Sequence, residues 1–341
     1  MKKLFVIKIL LLSFLISFAQ SQGKQNFKVV FYNTENFFDC YDDSLTNDAE
    51  FLPNGTRGWT FAKYKKKQNN IGKVITGIGG WDAPALVGLA EIENERCLID
   101  LTHYSGLKNL HYKFLHFESP DPRGIDVALL YQPQLFKPFV SKPIPIYFST
   151  SPQTKTRDIL YAAGIIPTDD TLHVFVCHFP SRLGGELESE NKRREVAAIL
   201  RATIDSIYLA HPHPYIVIMG DFNDYPTNKS LLTTLKALPL TDSISSDNLY
   251  NLMYPLHIKG KGSHKHNGEW GALDQFIVSG ALLKAGGKFY TLPMDAHFFE
   301  ADFLLEDDKT NLGKQPFRTY VGMKYQGGFS DHLLIYLDFW Y

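Results

Sequence analysis

The chain has 341 residues, is 44% hydrophobic and 21% charged, and carries a formal net charge of −1 at pH 7. That length suits one large domain or two small ones, and the composition is ordinary for a globular protein. The near-zero charge excludes a global positive field that would hold nucleic acid without sequence preference, so a nucleic-acid substrate would depend on local Arg and Lys.

Residues 1–19 read as an export signal. Lys2 and Lys3 precede an apolar stretch from Leu4 to Phe18, and Ser17-Phe18-Ala19 closes it as a small-x-small cleavage site. The alternative, an N-terminal anchor, asks a short segment to span a bilayer. We expect cleavage after Ala19 and a single soluble, exported, monomeric domain over 20–341 with no further membrane segment. No internal repeat, low-complexity tract or Gly/Ser linker divides that domain.

In chain order, short apolar runs at Phe27–Tyr32, Ala85–Ala90, Val127–Tyr131, Leu172–Cys177, Tyr215–Met219, Phe276–Val278 and Leu333–Phe339 predict strands, since most are rich in Val, Ile, Phe and Tyr and are bounded by turn residues. A near-continuous run such as "YIVIM" suggests burial on both faces. Between them, the spacing predicts a helix over 60–78, with Thr60 as N-cap and Lys65-Lys66-Lys67 on a solvated face, and a second over 190–208 with a stripe of Val196, Ile199, Leu200, Ile204 and Ile207. Residues 295–326 read as a long, partly irregular excursion. Cys40, Cys97 and Cys177 form neither a disulfide framework nor a zinc pattern; a Cys40–Cys97 bridge stays open, and Cys177 reads as a small apolar strand residue.

Polar residues gather where these strands begin or end. The first strand runs into "FYNTEN", with Asn33 and Glu35 two apart and so expected on one face; others end at Glu91, at His178, and at Asp221 and Asn223. Then the order reverses: Asp274 begins "DQFIVS", and Asp331 with His332 begins the last strand. If these edges share one rim, some strands must run opposite to others, which predicts mixed or antiparallel sheets. Several carboxylates and two histidines in one place repel unless a cation is present or protons are shared. Oxygen donors of this kind select Mg²⁺, with Mn²⁺ or Ca²⁺ as alternatives, over zinc. The pattern is that of a metal-assisted hydrolase.

The segments "YNTEN", "GLAEIEN", "RGIDVALLY", "CHFPSR", "GDFND", "LDQFIVS" and "GGFSDHL" occur in the order found in the endonuclease/exonuclease/phosphatase family, which this chain resembles over roughly residues 27 to 341. The resemblance implies the deoxyribonuclease-I-like fold: an α+β, four-layer sandwich of two mixed or antiparallel sheets packed face to face with helices outside. It implies Glu91 as the main carboxylate ligand of a divalent metal, assisted by Asn33, Glu35 and Asp331. It implies His332 as general base, Asp274 as the carboxylate that orients its imidazole, Asp221 and Asn223 as the groups that position water, and His178 as a donor to a phosphate or leaving oxygen. Glu93 and Asp224 read as surface residues or as a layer behind the motifs.

Arg123, Arg182, Arg193, Arg194 and Arg318 lie in or near motif segments and are candidates to grip phosphate. Arg193 and Arg194 stand early in a helix, where the macrodipole disfavours cations; pairing with Glu186, Glu188 or Glu190 is the alternative. The stretch "GSHKHNGEWGALD" reads as a loop lining the cleft, with Trp270 either stacking on a base or sugar or simply packing. The leading expectation is an exported phosphodiesterase of nuclease type. A phosphatase or phosphodiesterase acting on a phosphorylated sugar, inositol or lipid headgroup is the alternative. A silent binding module would be marked by loss of Glu91, Asp274 or His332, and all are present.

Overall fold

A strand that is apolar along its whole length needs a packed layer on each side. In the computed structural model, which describes residues 24–80 and 82–341, the apolar runs form the centres of two sheets. The expected signal segment lies outside the described residues.

The chain forms β1 (Asn26–Phe37), α1 (Phe61–Gly79), β2 (Leu86–Ile92), α2 (Glu95–Tyr104), β3 (Lys113–His116) and β4 (Asp126–Tyr131). Then come β5 (Lys137–Ile144), β6 (Ile159–Ile165), β7 (Thr171–His178), α3 (Glu186–Ala210) and β8 (Tyr215–Asp221). Shorter pieces follow: β9 (Ala237–Leu238), β10 (Leu249–Asn251), α4 (Tyr254–Ile258), β11 (His264–His266), β12 (Glu269–Gly271) and β13 (Asp274–Ser279). The last stretch holds β14 (Ala296–Phe298), β15 (Leu305–Asp307), β16 (Lys314–Pro316), β17 (Tyr320–Val321), β18 (Lys324–Tyr325) and β19 (Ile335–Trp340).

One sheet has the order β14-β19-β1-β2-β4-β3 and the other β5-β6-β7-β8-β13-β10-β9. β1 pairs parallel with β2 and β7 with β8, whereas β1–β19, β2–β4 and β8–β13 are antiparallel. Both sheets are therefore mixed, as expected.

Alternation along the strands sorts side chains into layers. Phe27, Val29 and Phe31 of β1 meet Val217 and Met219 of β8 and Phe276 and Val278 of β13 between the sheets. Val30 and Tyr32 face the other way, onto Tyr64, Ile71 and Val74 of α1 and Leu98 and Leu101 of α2. On the opposite side Ile216 and Ile218 pack with Val196, Leu200 and Ile204 of α3, and full burial of a side chain such as Leu200 stabilises by about 1.5–3 kcal/mol. The layers run helix, sheet, sheet, helix. Gly88 of β2 lets the sheets close, because a Cβ there would meet Met219 Sδ at 2.7 Å.

Several local expectations change. The second expected helix begins earlier, at Glu186. α2 was not anticipated; its N-cap is Asn94, whose side chain accepts the Cys97 N–H. The last strand begins at Ile335, so Asp331 and His332 sit in the loop before it. The three cysteines are free thiols. No helix among the described residues is long and apolar enough to cross a membrane.

Lys67 is not on a solvated face. It is 1% exposed, and its ammonium donates to Thr319 Oγ1 at 2.6 Å and Phe329 O at 2.7 Å. Residue 67 follows Tyr64 by three and precedes Ile71 by four, so helical geometry puts it in the apolar stripe despite its charge.

Glu93, just past β2, is buried and accepts the Asp39 N–H at 2.6 Å. Burial pushes its carboxyl from 4.5 up to about 8; the hydrogen bond from Asp39 opposes this, and the charges of Asp39, Asp48 and Asp43 add to it. Between those values the folded chain keeps a proton that the unfolded chain has released, so this group makes stability fall as pH rises through that window. Glu93→Gln retains an acceptor for Asp39. It should match wild type near pH 4.5 and melt higher than wild type at pH 8, checked by thermal melts at both; equal melting at pH 8 would contradict the account.

Candidate active site

Register builds the first part of the site. β7 pairs parallel with β8 so that His178 lies beside Asp221, and β13 pairs antiparallel so that Asp274 lies on its other side. Directly paired residues share a face. Each continues the row that two residues earlier or later supplies Val176, Met219 and Phe276 to the core between the sheets. The row is thus the polar end of an apolar layer.

The other sheet contributes through broken alternation. Asn33 follows Phe31 by two and faces the same interior, and its Nδ2 donates to Asp221 Oδ2 at 3.0 Å across the gap. Glu91 would by alternation follow Leu89 toward the helices. Instead its φ is 62° and the β2–β4 register shifts between Ala90 and Ile92, which turns its side chain into the cleft. Glu35 and Asn36 also have positive φ, 54° and 60°, where β1 slips against β2. Four of the nine left-handed non-glycine residues among the described residues, Glu35, Asn36, Glu91 and Asn223, stand here. Each such residue costs roughly 1–3 kcal/mol.

His332 is held from both sides. Ser330 Oγ donates to Asn33 O at 2.8 Å and accepts the His332 N–H at 3.0 Å, which fastens the loop to β1. The imidazole Nδ1 lies 2.6 Å from Asp274 Oδ2, leaving Nε2 pointed toward Asp221 Oδ2 at 3.9 Å. Burial alone would lower this imidazole's pKa, but attraction to Asp274 and Asp221, the hydrogen bond to Asp274 and the charge of Asp331 together hold it well above the ordinary value. Asp221 is pushed up to about 6, chiefly by burial; His332 opposes this, Asp274 adds to it, and hydrogen bonds from Asn223 N–H (2.9 Å) and Asn33 oppose it. His178 Nε2 lies 3.6 Å from Asp221 Oδ2, and burial first, then the charges of Arg157, Arg123 and His332, keep its imidazole neutral.

The acids called metal ligands separate into two sets. Glu91 Oε2 accepts the Asn36 N–H at 2.8 Å, while Oε1 lies 3.6 Å from Arg123 Nη2 and 4.0 Å from His178 Nε2, beyond hydrogen-bonding reach. Glu91 thus presents an uncommitted carboxylate oxygen to the cleft, a hard donor of the kind that suits a divalent cation such as Mg²⁺. Glu35 does not share this face with Asn33, because the kink turns it away. Its Oε2 accepts the Thr319 N–H at 2.6 Å and lies 3.8 Å from Lys67 Nζ, and its Oε1 lies 3.3 Å from Arg318 Nε. Asp331 lines the cleft but accepts from Arg318 Nη2 at 2.8 Å.

Of the candidate substrate residues, Arg123 and Arg182 line the cleft, a hollow of about 510 Å³ shared with His264, His266, Leu183 and Tyr225. Arg182 lies over the Tyr225 ring at 4.4 Å, and its Nε donates to Asn223 O at 2.8 Å. Arg193 is fully buried and pairs with Asp224 at 2.8 Å, so it fastens α3 to the end of β8 and does not reach substrate. Arg194 faces Glu190 at 3.9 Å on the helix surface. Trp270 packs beside Gly262, Leu305 and Leu333 in a separate hollow and not in the cleft. Glu93 and Asp224 are buried, not superficial.

Sequence reasoning missed Lys67, the Asn36 N–H and Arg157. Arg157 donates to Asp121 Oδ2 at 2.9 Å and Phe179 O at 2.8 Å, and Asp121 Oδ1 accepts the Arg123 N–H at 2.9 Å. It thereby pins the turn that carries Arg123. Helical spacing was the signal for Lys67; the other two lacked one.

The sequence pattern of the Endonuclease/Exonuclease/phosphatase family matches residues 28–340. Among solved structures, the chain is similar to the endonuclease/exonuclease/phosphatase family protein from Bacteroides thetaiotaomicron, at 12% identity and a TM-score of 0.56, over 93% of this chain and 98% of that one. It is similar to D. rerio TDP2 complexed with a single-strand DNA product, at 14% identity and a TM-score of 0.53, over 92% and 99% of the two chains. It is also similar to the human Nocturnin catalytic domain with a bound sulfate anion, at 16% identity and a TM-score of 0.52, over 93% and 97%. At these identities the likeness is one of fold. No curated protein sequence matches the chain.

The Asp274 contact predicts a spectroscopic change. Asp274→Asn should bring the His332 pKa down toward the ordinary histidine range, read by NMR titration of the imidazole; an unchanged value would mean that Asp274 does not hold the proton.

Proposed function

The chain belongs to the endonuclease/exonuclease/phosphatase family of phosphoester hydrolases, and we propose that it is a divalent-metal-dependent phosphoesterase of nuclease type that cleaves a P–O bond with water activated at His332. The observation that carries this reading is the row Asp274–His332–Asp221 beside the uncommitted oxygen of Glu91.

A divalent cation, Mg²⁺ in the first instance with Mn²⁺ or Ca²⁺ as alternatives, would be held by Glu91 and would neutralise charge on the phosphate. The chain's own groups do the rest. Asp274 fixes the tautomer and direction of His332 through Nδ1. Asp221 and His332 face each other across the space where a water would sit, and the proton from that water passes to this coupled pair. Asn33 and Asn223 keep Asp221 in place. Neutral His178, with Nε2 toward the cleft, donates to a phosphate oxygen. The water oxygen bonds to phosphorus, and the leaving oxygen departs with its electron pair and is protonated from solvent.

The D. rerio TDP2 structure with a single-strand DNA product supports a nucleic-acid phosphodiester as substrate. A second reading, a small phosphorylated sugar, inositol or lipid headgroup, is favoured by one observation: of the five candidate arginines only Arg123 and Arg182 line the cleft, and the chain is near neutral overall. The leader pattern at residues 1–19 supports an exported enzyme.

The test is hydrolysis of plasmid DNA, RNA and a panel of phosphomonoesters and diesters by the full chain with Mg²⁺, Mn²⁺, Ca²⁺ or EDTA. We expect EDTA to abolish activity and His332→Ala to lower kcat by about 10²–10⁴-fold. A steep fall of affinity with salt would assign a polyanion; silence on nucleic acid with metal-dependent release from one small ester would assign the second reading. No metal-dependent hydrolysis of any member would refute both.

A further inference from the structure

The geometry points to Arg318 as a resident cation that takes the place of a second divalent ion, so that the cleft holds one ion, at Glu91. This rests on the metal-dependent reading above and concerns how many ions that reading requires.

The sequence motifs bring Glu35, Glu91 and Asp331 to one region, enough carboxylates for two ions. The structure divides them. One edge of the Arg318 guanidinium spans two acids from distant parts of the chain: Nε lies 3.3 Å from Glu35 Oε1 and Nη2 donates to Asp331 Oδ2 at 2.8 Å. A planar fork with fixed donor directions suits two carboxylates held apart at a set spacing. The remaining oxygen of Glu35 is taken as well, by the Thr319 N–H at 2.6 Å and by Lys67 Nζ at 3.8 Å. No oxygen of Glu35 is left for an ion among the described residues.

Charge accounts for the division. Glu35 and Asp331 face Lys67 and Arg318, two anions against two cations, and that side is balanced. On the other side Glu91, Asp221 and Asp274 face the His332 imidazole and Arg123, whose side chain is 47% exposed and largely screened. That side remains short of positive charge, and there Glu91 Oε1 is uncommitted. A dication placed between Glu35 and Asp331 would have to displace a guanidinium already paired with both, or lie against it.

Arg318 is also anchored where it stands. Its neighbour Thr319 donates its N–H to Glu35 and accepts from Lys67 Nζ at Oγ1, and Phe317 O accepts the Phe329 N–H at 2.6 Å. The segment therefore delivers the guanidinium to the two acids from a fastened backbone.

The experiment is a Mn²⁺ titration of the metal-stripped full chain, with free Mn²⁺ followed by electron paramagnetic resonance. Wild type should bind one ion, and Glu91→Ala should lose it. Arg318→Ser should bind two, the second being removed again in Arg318→Ser/Glu35→Gln, whereas Arg318→Lys, which keeps the charge, should stay at one. Thermal melts of each variant show that it is folded. Two ions in wild type, or one ion in folded Arg318→Ser, would overturn the inference and leave the metal-dependent reading standing. No bound ion in wild type would overturn both.

Discussion

Like charges buried together repel strongly, and the site is organised around that repulsion. Glu35, Glu91, Asp221 and Asp274 are all nearly inaccessible at one end of an apolar layer, where each unpaired carboxylate would cost several kcal/mol. Three devices relieve the repulsion. Lys67 and Arg318 neutralise the β1 side, His332 holds a proton between Asp274 and Asp221, and the backbone N–H groups of Asn36, Asn223 and Thr319 each donate to one acid. The oxygen of Glu91 that none of them reaches is where positive charge from outside is most strongly favoured.

The mixed sheets make this arrangement available. A purely parallel sheet would send every strand to the rim in one direction and bring only strand ends to it. Here β7 and β8 arrive with His178 and Asp221 while β13 departs with Asp274, all in one row. His178, Asp221 and Asp274 therefore sit on adjacent rigid strands, and only His332 comes from a loop, itself fastened by Ser330.

Where side-chain period and backbone agreed, the sequence was readable. "YIVIMGD" alternates between the two cores and ends on Asp221, and the polar ends of β7, β8 and β13 could be grouped before any coordinates. Glu35 was misplaced because alternation assumes an extended strand, and two left-handed residues break it. Lys67 was misread because its charge was allowed to outweigh its helical position. Arg193 was a candidate to grip phosphate or to pair with Glu186, Glu188 or Glu190, yet its partner is Asp224, just past the end of another strand, a contact that no local pattern reveals. Trp270 illustrates the same limit: an aromatic residue next to a motif is as ready to fill a gap as to line a cleft.

The left-handed residues carry a consequence for how such an enzyme could be made hardier. At Asn36 the group that serves Glu91 is the backbone N–H, which glycine would supply without the steric cost, whereas at Asn223 the side chain is used as well, its Nδ2 donating to Phe179 O at 3.0 Å. At Glu91 the side chain supplies the free carboxylate oxygen of the cleft, so the same relief would remove that oxygen along with the strain. Selection for heat resistance alone would therefore reward relief of strain without regard to what each side chain holds; only selection on activity separates relief at Asn36 from relief at Glu91.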